Sequence, residues 1–216
     1  MKIEKNKEAY LKKYSDQTES FPLPFDDDLF SFGSVGVKRR SSNIAEEMKV
    51  FQTLKEHGMF GMVTEEFADE LAKYLEGKKV LEVMAGAGYL AHELHTRGVD
   101  IIATDDYSWG IRPYNDFPIE ALDAAEAVKK YSNVDYILVS WIPMGKPATS
   151  FIKAVKEYCS DTPILHIGEG GGGCTGNDYF FDNVIEIDDE NLYPAQRKFE
   201  NFFGVHDHLV LMKCKK

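Results

Sequence analysis

The chain has 216 residues, 44% of them hydrophobic and 28% charged, with 25 Lys and Arg against 36 Asp and Glu for a net charge of −11. That length and balance fit one globular domain and exclude a disordered chain, a collagen-like chain and a disulfide scaffold. Residues 1–60 carry 10 basic and 10 acidic residues, so the excess falls on residues 61–216 with 15 and 26, an acidic field that disfavours nucleic acid as a partner.

In chain order, Tyr10, Leu11 and Tyr14 are spaced as one helical face, and Pro22 and Pro24 break it. Residues from about 20 to 40 read as an irregular arm ending in Lys38-Arg39-Arg40, a solvated basic patch or a cap over an anionic acceptor. Ser41 or Ser42 caps a helix through Ala45, Met48, Phe51 and Leu54, stopped at Gly58 and Gly61. Thr64 opens another, with Phe67, Leu71 and Leu75 as its apolar stripe.

From Lys79 the pattern changes. Lys79–Met84 reads as a buried strand, Ala85–Gly88 as a glycine turn and Tyr89–Thr96 as a helix. Strands are expected at Val99–Asp105, around Ile119, at Asp135–Trp141 and at Pro163–Ile167, with helices at Ala121–Tyr131 and Ser150–Tyr158. Val184–Ile187 and His208–Met212 form a late strand pair with no helix as regular as the earlier ones between them. Alternating strands and helices predict a Rossmann-like, doubly wound α/β sheet, mostly parallel, with an antiparallel edge hairpin near the C-terminus and N-terminal helices. The whole of 1–216 reads as one domain, with 1–60 an N-terminal helical arm or lid and 64–214 the core.

Three widely spaced cysteines, Cys159, Cys174 and Cys214, form no CxxC pair, which points to a reduced, cytoplasmic protein without a zinc site. No signal peptide and no apolar run long enough for a membrane span are visible.

The strongest chemical signal is Glu82-Val83-Met84-Ala85-Gly86-Ala87-Gly88-Tyr89 with Asp105 following. Glycine at a strand-to-helix turn lets backbone N–H groups approach a ligand, and an acid closing the next strand can accept the two hydrogen bonds of a ribose diol. Gly86 to Ala91 also fits the dinucleotide pattern G-x-G-x-x-A, which leaves an NAD(P)-dependent oxidoreductase as one reading. Glu82 disfavours it, because a carboxylate there repels a pyrophosphate and attracts an amino or sulfonium group.

These residues resemble the class I S-adenosylmethionine-dependent methyltransferase family, over roughly residues 64–214. The family's acid-x-G-x-G-x-G motif appears here with Met84 in place of its first glycine. The resemblance implies that Glu82 and the turn Ala85, Gly86, Ala87 and Gly88 hold the methionine end of S-adenosyl-L-methionine, that Met84 alters the contact there, and that Met84, Tyr89 and Ser140 belong with the cofactor-binding residues. It implies that Asp105 and Asp106 hold the ribose and that Asp123 and Ala124 meet the adenine, although an acid at a helix start is equally a routine cap. Ser140 and Trp141 fall where the family's fourth motif ends its strand, without the Asn-Pro-Pro-Tyr of some amino-methylating members. The implied activity is methyl transfer to a small-molecule or protein acceptor, with a non-catalytic binding or interaction module of the same fold as the alternative.

Tyr107, Trp109 and Trp141 are candidate acceptor-pocket walls, with packing as the competing role. The loop Gly168–Asp178 is expected at the same sheet edge, where Glu169 is a candidate general base or amine-orienting group against a plain solvated acid. Nothing in the sequence lowers the pKa of Cys174. His206-Asp207-His208 lacks a third metal ligand and reads as a hairpin turn, and His92 and His95 as ordinary helix residues.

Overall fold

A computed structural model describes residues 30–32, 37–39, 44–111 and 113–215. The expected helical face at Tyr10–Tyr14, the cap at Ser41 or Ser42 and Arg40 of the basic patch lie outside them. Within the stretch read as an irregular arm, β1 (Phe30–Phe32) and β2 (Val37–Arg39) instead pair as an antiparallel ribbon. The helix α1 (Ile44–Glu56) follows, then α2 (Glu65–Tyr74). The Thr64 hydroxyl accepts the Phe67 N–H at 3.2 Å and caps α2, a bond whose loss costs about 1 kcal/mol.

The main sheet has seven strands. In chain order these are β3 (Lys79–Val83), β4 (Asp100–Asp105), β5 (Ile119–Ala121), β6 (Tyr136–Ser140), β7 (Ile164–Gly168), β8 (Val184–Ile187) and β9 (His208–Cys214). Their spatial order is β5-β4-β3-β6-β7-β9-β8. Strands β3 to β7 are mutually parallel, and β9 runs antiparallel to both β7 and β8. This is a Rossmann-like, mostly parallel sheet closed by an antiparallel edge hairpin.

Helices cover both faces. On one lie α1, α2, α3 (Tyr89–Thr96) and α7 (Tyr193–Lys198); on the other α4 (Ala124–Lys130), α5 (Lys146–Tyr158) and α6 (Asp178–Asp182). Strand β3 shows the alternation that assigns side chains to layers. Leu81 and Val83 enter the core under α4 and α5, while Val80 faces the layer of α2 and α3.

Some boundaries differ from the sequence reading, each for a local reason. The helix expected from Ala121 begins at Ala124, because Ala121 completes β5 and Asp123 forms a capping box with Glu126. Helix α5 starts at Lys146 rather than Ser150, since Pro147 suits a first turn. Between the late strands the only α-helix among the described residues is the six-residue α7, less regular than the earlier helices, as expected.

The chain fills β3, β4 and β5 outward on one side, then returns to place β6 and β7 on the other. Between β3 and β6 the connections leave in opposite directions, and the crevice above the carboxyl ends of such strands is where open α/β sheets bind ligands.

Candidate functional site

A cavity of about 290 Å³ opens at that crevice, close to the lower bound of about 300 Å³ common for ligand pockets. Glu82, Met84, Ala85, Gly86 and Tyr89 border it from β3, the turn and α3. Asp105, Asp106, Asp123, Ala124 and Ser140 border it from the ends of β4, β5 and β6, and Trp109 and Trp141 from the following loops. Ala87 and Gly88 do not line it. Ala87 is buried and its carbonyl accepts the Tyr114 N–H, while a Cβ on Gly88 would meet Ile119 at 2.8 Å.

The glycine turn is held by backbone geometry and by an acid. Gly86 and Gly88 have φ of 56° and 68°, and Met84 has 55°. Methionine therefore occupies a left-handed conformation that ordinarily belongs to glycine, at a cost of about 1–2 kcal/mol. Asp105 Oδ2 accepts the Gly86 N–H at 2.9 Å, and Oδ1 accepts the Tyr107 N–H at 2.7 Å. Burial, opposed by these two bonds, pushes the Asp105 pKa up to about 6.

Glu82 is 2% exposed, on the β3 face that looks at α3. Burial raises its pKa to about 8 despite a hydrogen bond from the Ala91 N–H in the first turn of α3. Among the described residues its Oε2 has no partner, and neither do the Tyr89 hydroxyl and Ser140 Oγ. All three are buried atoms of residues lining the cavity. A buried polar atom left without a partner is unfavourable by about 1–3 kcal/mol; the Tyr89 hydroxyl lies near Glu93, Tyr114 and Arg97, so Glu82 and Ser140 are the two that suit the cavity to a polar ligand.

The two tryptophans face the same space from different loops. Trp109 is 61% exposed and meets Phe60 edge-on at 5.3 Å. Trp141 has φ of 50°, its backbone N–H reaches the Ile167 carbonyl at 2.7 Å, and its indole N–H donates to Asp207 Oδ2 at 2.7 Å. A Cβ on Gly61 would come within 1.9 Å of the Trp141 ring.

Other expected residues are placed elsewhere. The Asp123 carboxylate accepts the Glu126 N–H at 2.9 Å, the capping role, although the residue still borders the cavity. Tyr107 is buried off the cavity with its hydroxyl on the Ile119 carbonyl. Glu169 lies in a self-closed loop, where its Oε2 accepts the Cys174 N–H and its carbonyl the Thr175 hydroxyl, and it does not line the cavity. Asp207, read as part of a turn, is the buried partner of Trp141. Among the described residues no cluster of three or more His, Cys, Asp or Glu side chains could hold a metal ion.

Sequence reasoning missed the strap Gly58–Gly61, which lines the cavity together with Ile111 and Lys146. A Cβ on Gly86 would sit 3.2 Å from the Gly58 carbonyl, so the strap passes directly over the turn. The two glycines that stop α1 were the available signal, and they looked like ordinary helix ends.

No protein-family model and no curated protein matches the chain. Solved structures do. TrmN from Thermus thermophilus is 14% identical with a TM-score of 0.45, over 77% of this chain and 53% of that one, so this chain spans about half of its length. The 1,6-didemethyltoxoflavin-N1-methyltransferase of Burkholderia thailandensis, solved with 1,6-didemethyltoxoflavin and S-adenosylhomocysteine, is 13% identical with a TM-score of 0.42, over 81% and 84%. The B. subtilis tRNA methyltransferase TrmK is 10% identical with a TM-score of 0.40, over 70% and 66%. At such identities the likeness is one of fold.

Proposed function

We propose that the chain binds S-adenosyl-L-methionine at the β3–β6 crevice and transfers its methyl group to a small-molecule or protein acceptor. The observation that carries this reading is a pair of buried oxygens without a partner among the described residues, Glu82 Oε2 and Ser140 Oγ, on residues that line the cavity whose turn Asp105 anchors. Those atoms fit a ligand with an amino group and several hydroxyls.

In this reading Glu82 and the backbone of Ala85 and Gly86 hold the methionine end, Asp105 and Asp106 the ribose, and Asp123 and Ala124 flank the adenine. The ligand supplies a methyl already activated on a sulfonium. The chain's work is alignment and the exclusion of water. Glu82 sits where a cationic ligand favours its ionised form, the strap over Gly86 screens the turn, and Trp109 and Trp141 wall the acceptor side. Residues 1–60 then serve as an arm whose end shapes the acceptor pocket, within a single domain. The free Cys159, Cys174 and Cys214 suit a cytoplasmic setting.

A second reading, a binding module without turnover, draws on Met84, whose side chain stands in a left-handed position at the methionine end. Calorimetric titration with S-adenosylmethionine, S-adenosylhomocysteine and NAD separates the readings. Micromolar binding of both sulfur nucleosides and none of NAD is expected. Binding of NAD alone would overturn the proposal, and tight binding with no methyl transfer across an acceptor screen would favour the module.

A further inference from the structure

The acceptor side of the cavity is built around the chain's two tryptophans. They sit on separate loops, Trp109 after β4 and Trp141 after β6, and the strap joins them: Phe60 meets the ring of Trp109, and Gly61 abuts the ring of Trp141. The two indoles are held differently. Trp141 is fixed by its backbone bond to Ile167, by Asp207 and by the strap, so it is a rigid wall. Among the described residues Trp109 meets the ring of Phe60, and it leaves 61% of its surface in water at the mouth. An exposed indole beside a cavity is an unusual use of a residue that gains most when its face is covered.

We infer that the methyl acceptor is a flat aromatic or heteroaromatic small molecule that stacks on Trp109 and is stopped by the wall of Trp141. The inference rests on the proposed methyltransferase reading and names the substrate class of that site. Three observations point the same way. An indole face rewards a planar π-system over an aliphatic one of equal size. The cavity, about 290 Å³, has the scale of a small-ligand site, and Trp109 stands at its mouth. The charge of −11 opposes a polyanion.

The test uses the full chain labelled with ¹⁵N at tryptophan, so that its indole N–H signals report on the site, assigned with Trp109→Phe and Trp141→Phe. Naphthalene-2-carboxylate and decahydronaphthalene-2-carboxylate share charge and carbon skeleton and differ in flatness. Each is titrated with and without S-adenosylhomocysteine. The flat probe is expected to shift the Trp109 signal saturably, and the puckered one to leave it in place. Trp109→Ala is expected to weaken the flat probe about tenfold while S-adenosylhomocysteine affinity stays within about twofold. Equal response to both probes, or no response from protein that binds S-adenosylhomocysteine, would overturn the inference and leave the cofactor reading standing. Failure to bind S-adenosylhomocysteine would sink the cofactor reading, while the titration without it still reads the stacking surface directly.

Discussion

Asp105 Oδ2 accepts the Gly86 N–H at 2.9 Å, which ties the last residue of β4 to the turn that follows β3. The acid therefore shapes the cradle as well as facing the cavity. Asp105→Ala should free the turn and lower affinity for S-adenosylhomocysteine by tenfold or more, about 1.4 kcal/mol. Asp105→Asn keeps an oxygen for Gly86 and should lose less. Calorimetry on the two variants measures the difference, and an unchanged affinity in the alanine variant would sink the cofactor assignment.

Glu82 makes binding depend on pH. Its carboxyl is raised from 4.5 to about 8 by burial, so in the free protein at neutral pH it is mostly protonated. A raised acid contributes stability below its unfolded value, and that contribution fades as pH rises from about 4.5 through about 8. A cationic ligand favours the ionised form, so affinity for S-adenosylmethionine should rise toward pH 8, with release of about one proton at pH 7. Titrations in buffers of different ionisation enthalpy count that proton, and Glu82→Gln should abolish the release.

His166 predicts an acid limit. It is buried on β7 against Phe180 and Phe181, neither ring nitrogen has a partner among the described residues, and burial lowers its pKa to about 4. The neutral ring is the folded form. Its contribution is complete above about pH 6.5 and is lost as pH falls through about 4. Melting curves from pH 7 to 4 should fall less steeply for His166→Phe than for the native chain.

Gly61 and Asp207 grip Trp141 from two sides. Gly61→Ala places a methyl inside the ring and forces the indole to move. Asp207→Leu removes the acceptor of its N–H, whereas Asp207→Asn retains one. Both Gly61→Ala and Asp207→Leu should raise the acceptor KM severalfold, about 1 kcal/mol, with little change in S-adenosylhomocysteine affinity. Steady-state kinetics with a saturating methyl donor provides the measurement.

Met84→Gly should relieve a left-handed backbone at a non-glycine residue, worth about 1 kcal/mol, offset in part by the greater freedom of glycine in the unfolded chain. A gain in cofactor affinity would favour the reading of a weakened binding module. An unchanged affinity would show that the turn already has its binding shape.

The parallel core was legible because each signal is local. Val80 to Val83 between Lys79 and the glycines can only be a short buried strand, and Thr64 and Gly88 mark the helix starts they occupy. Glu82, Gly86 and Asp105 came together because strand ends in a parallel sheet share one edge. The relations that were not legible join distant segments: Trp141 with Asp207, 66 residues apart, and Gly61 with Trp141. No periodicity encodes a steric fit between a strap and an indole. Asp123 was ambiguous in the sequence for a physical reason, since a carboxylate at a helix start serves a cap or a ligand equally well, and its oxygen is on the Glu126 N–H.

The placement of β9 between β7 and β8 has a consequence for synthesis on the ribosome. Both flanking strands precede it in the chain, so a nascent polypeptide that has emerged through Ile187 has a vacant lane in its sheet that only His208–Cys214 can fill. Until then β7 offers an open edge to any other extended chain nearby. The window in which the protein is most prone to mispairing is therefore set by how fast the ribosome delivers the intervening residues, at roughly 5–20 residues per second.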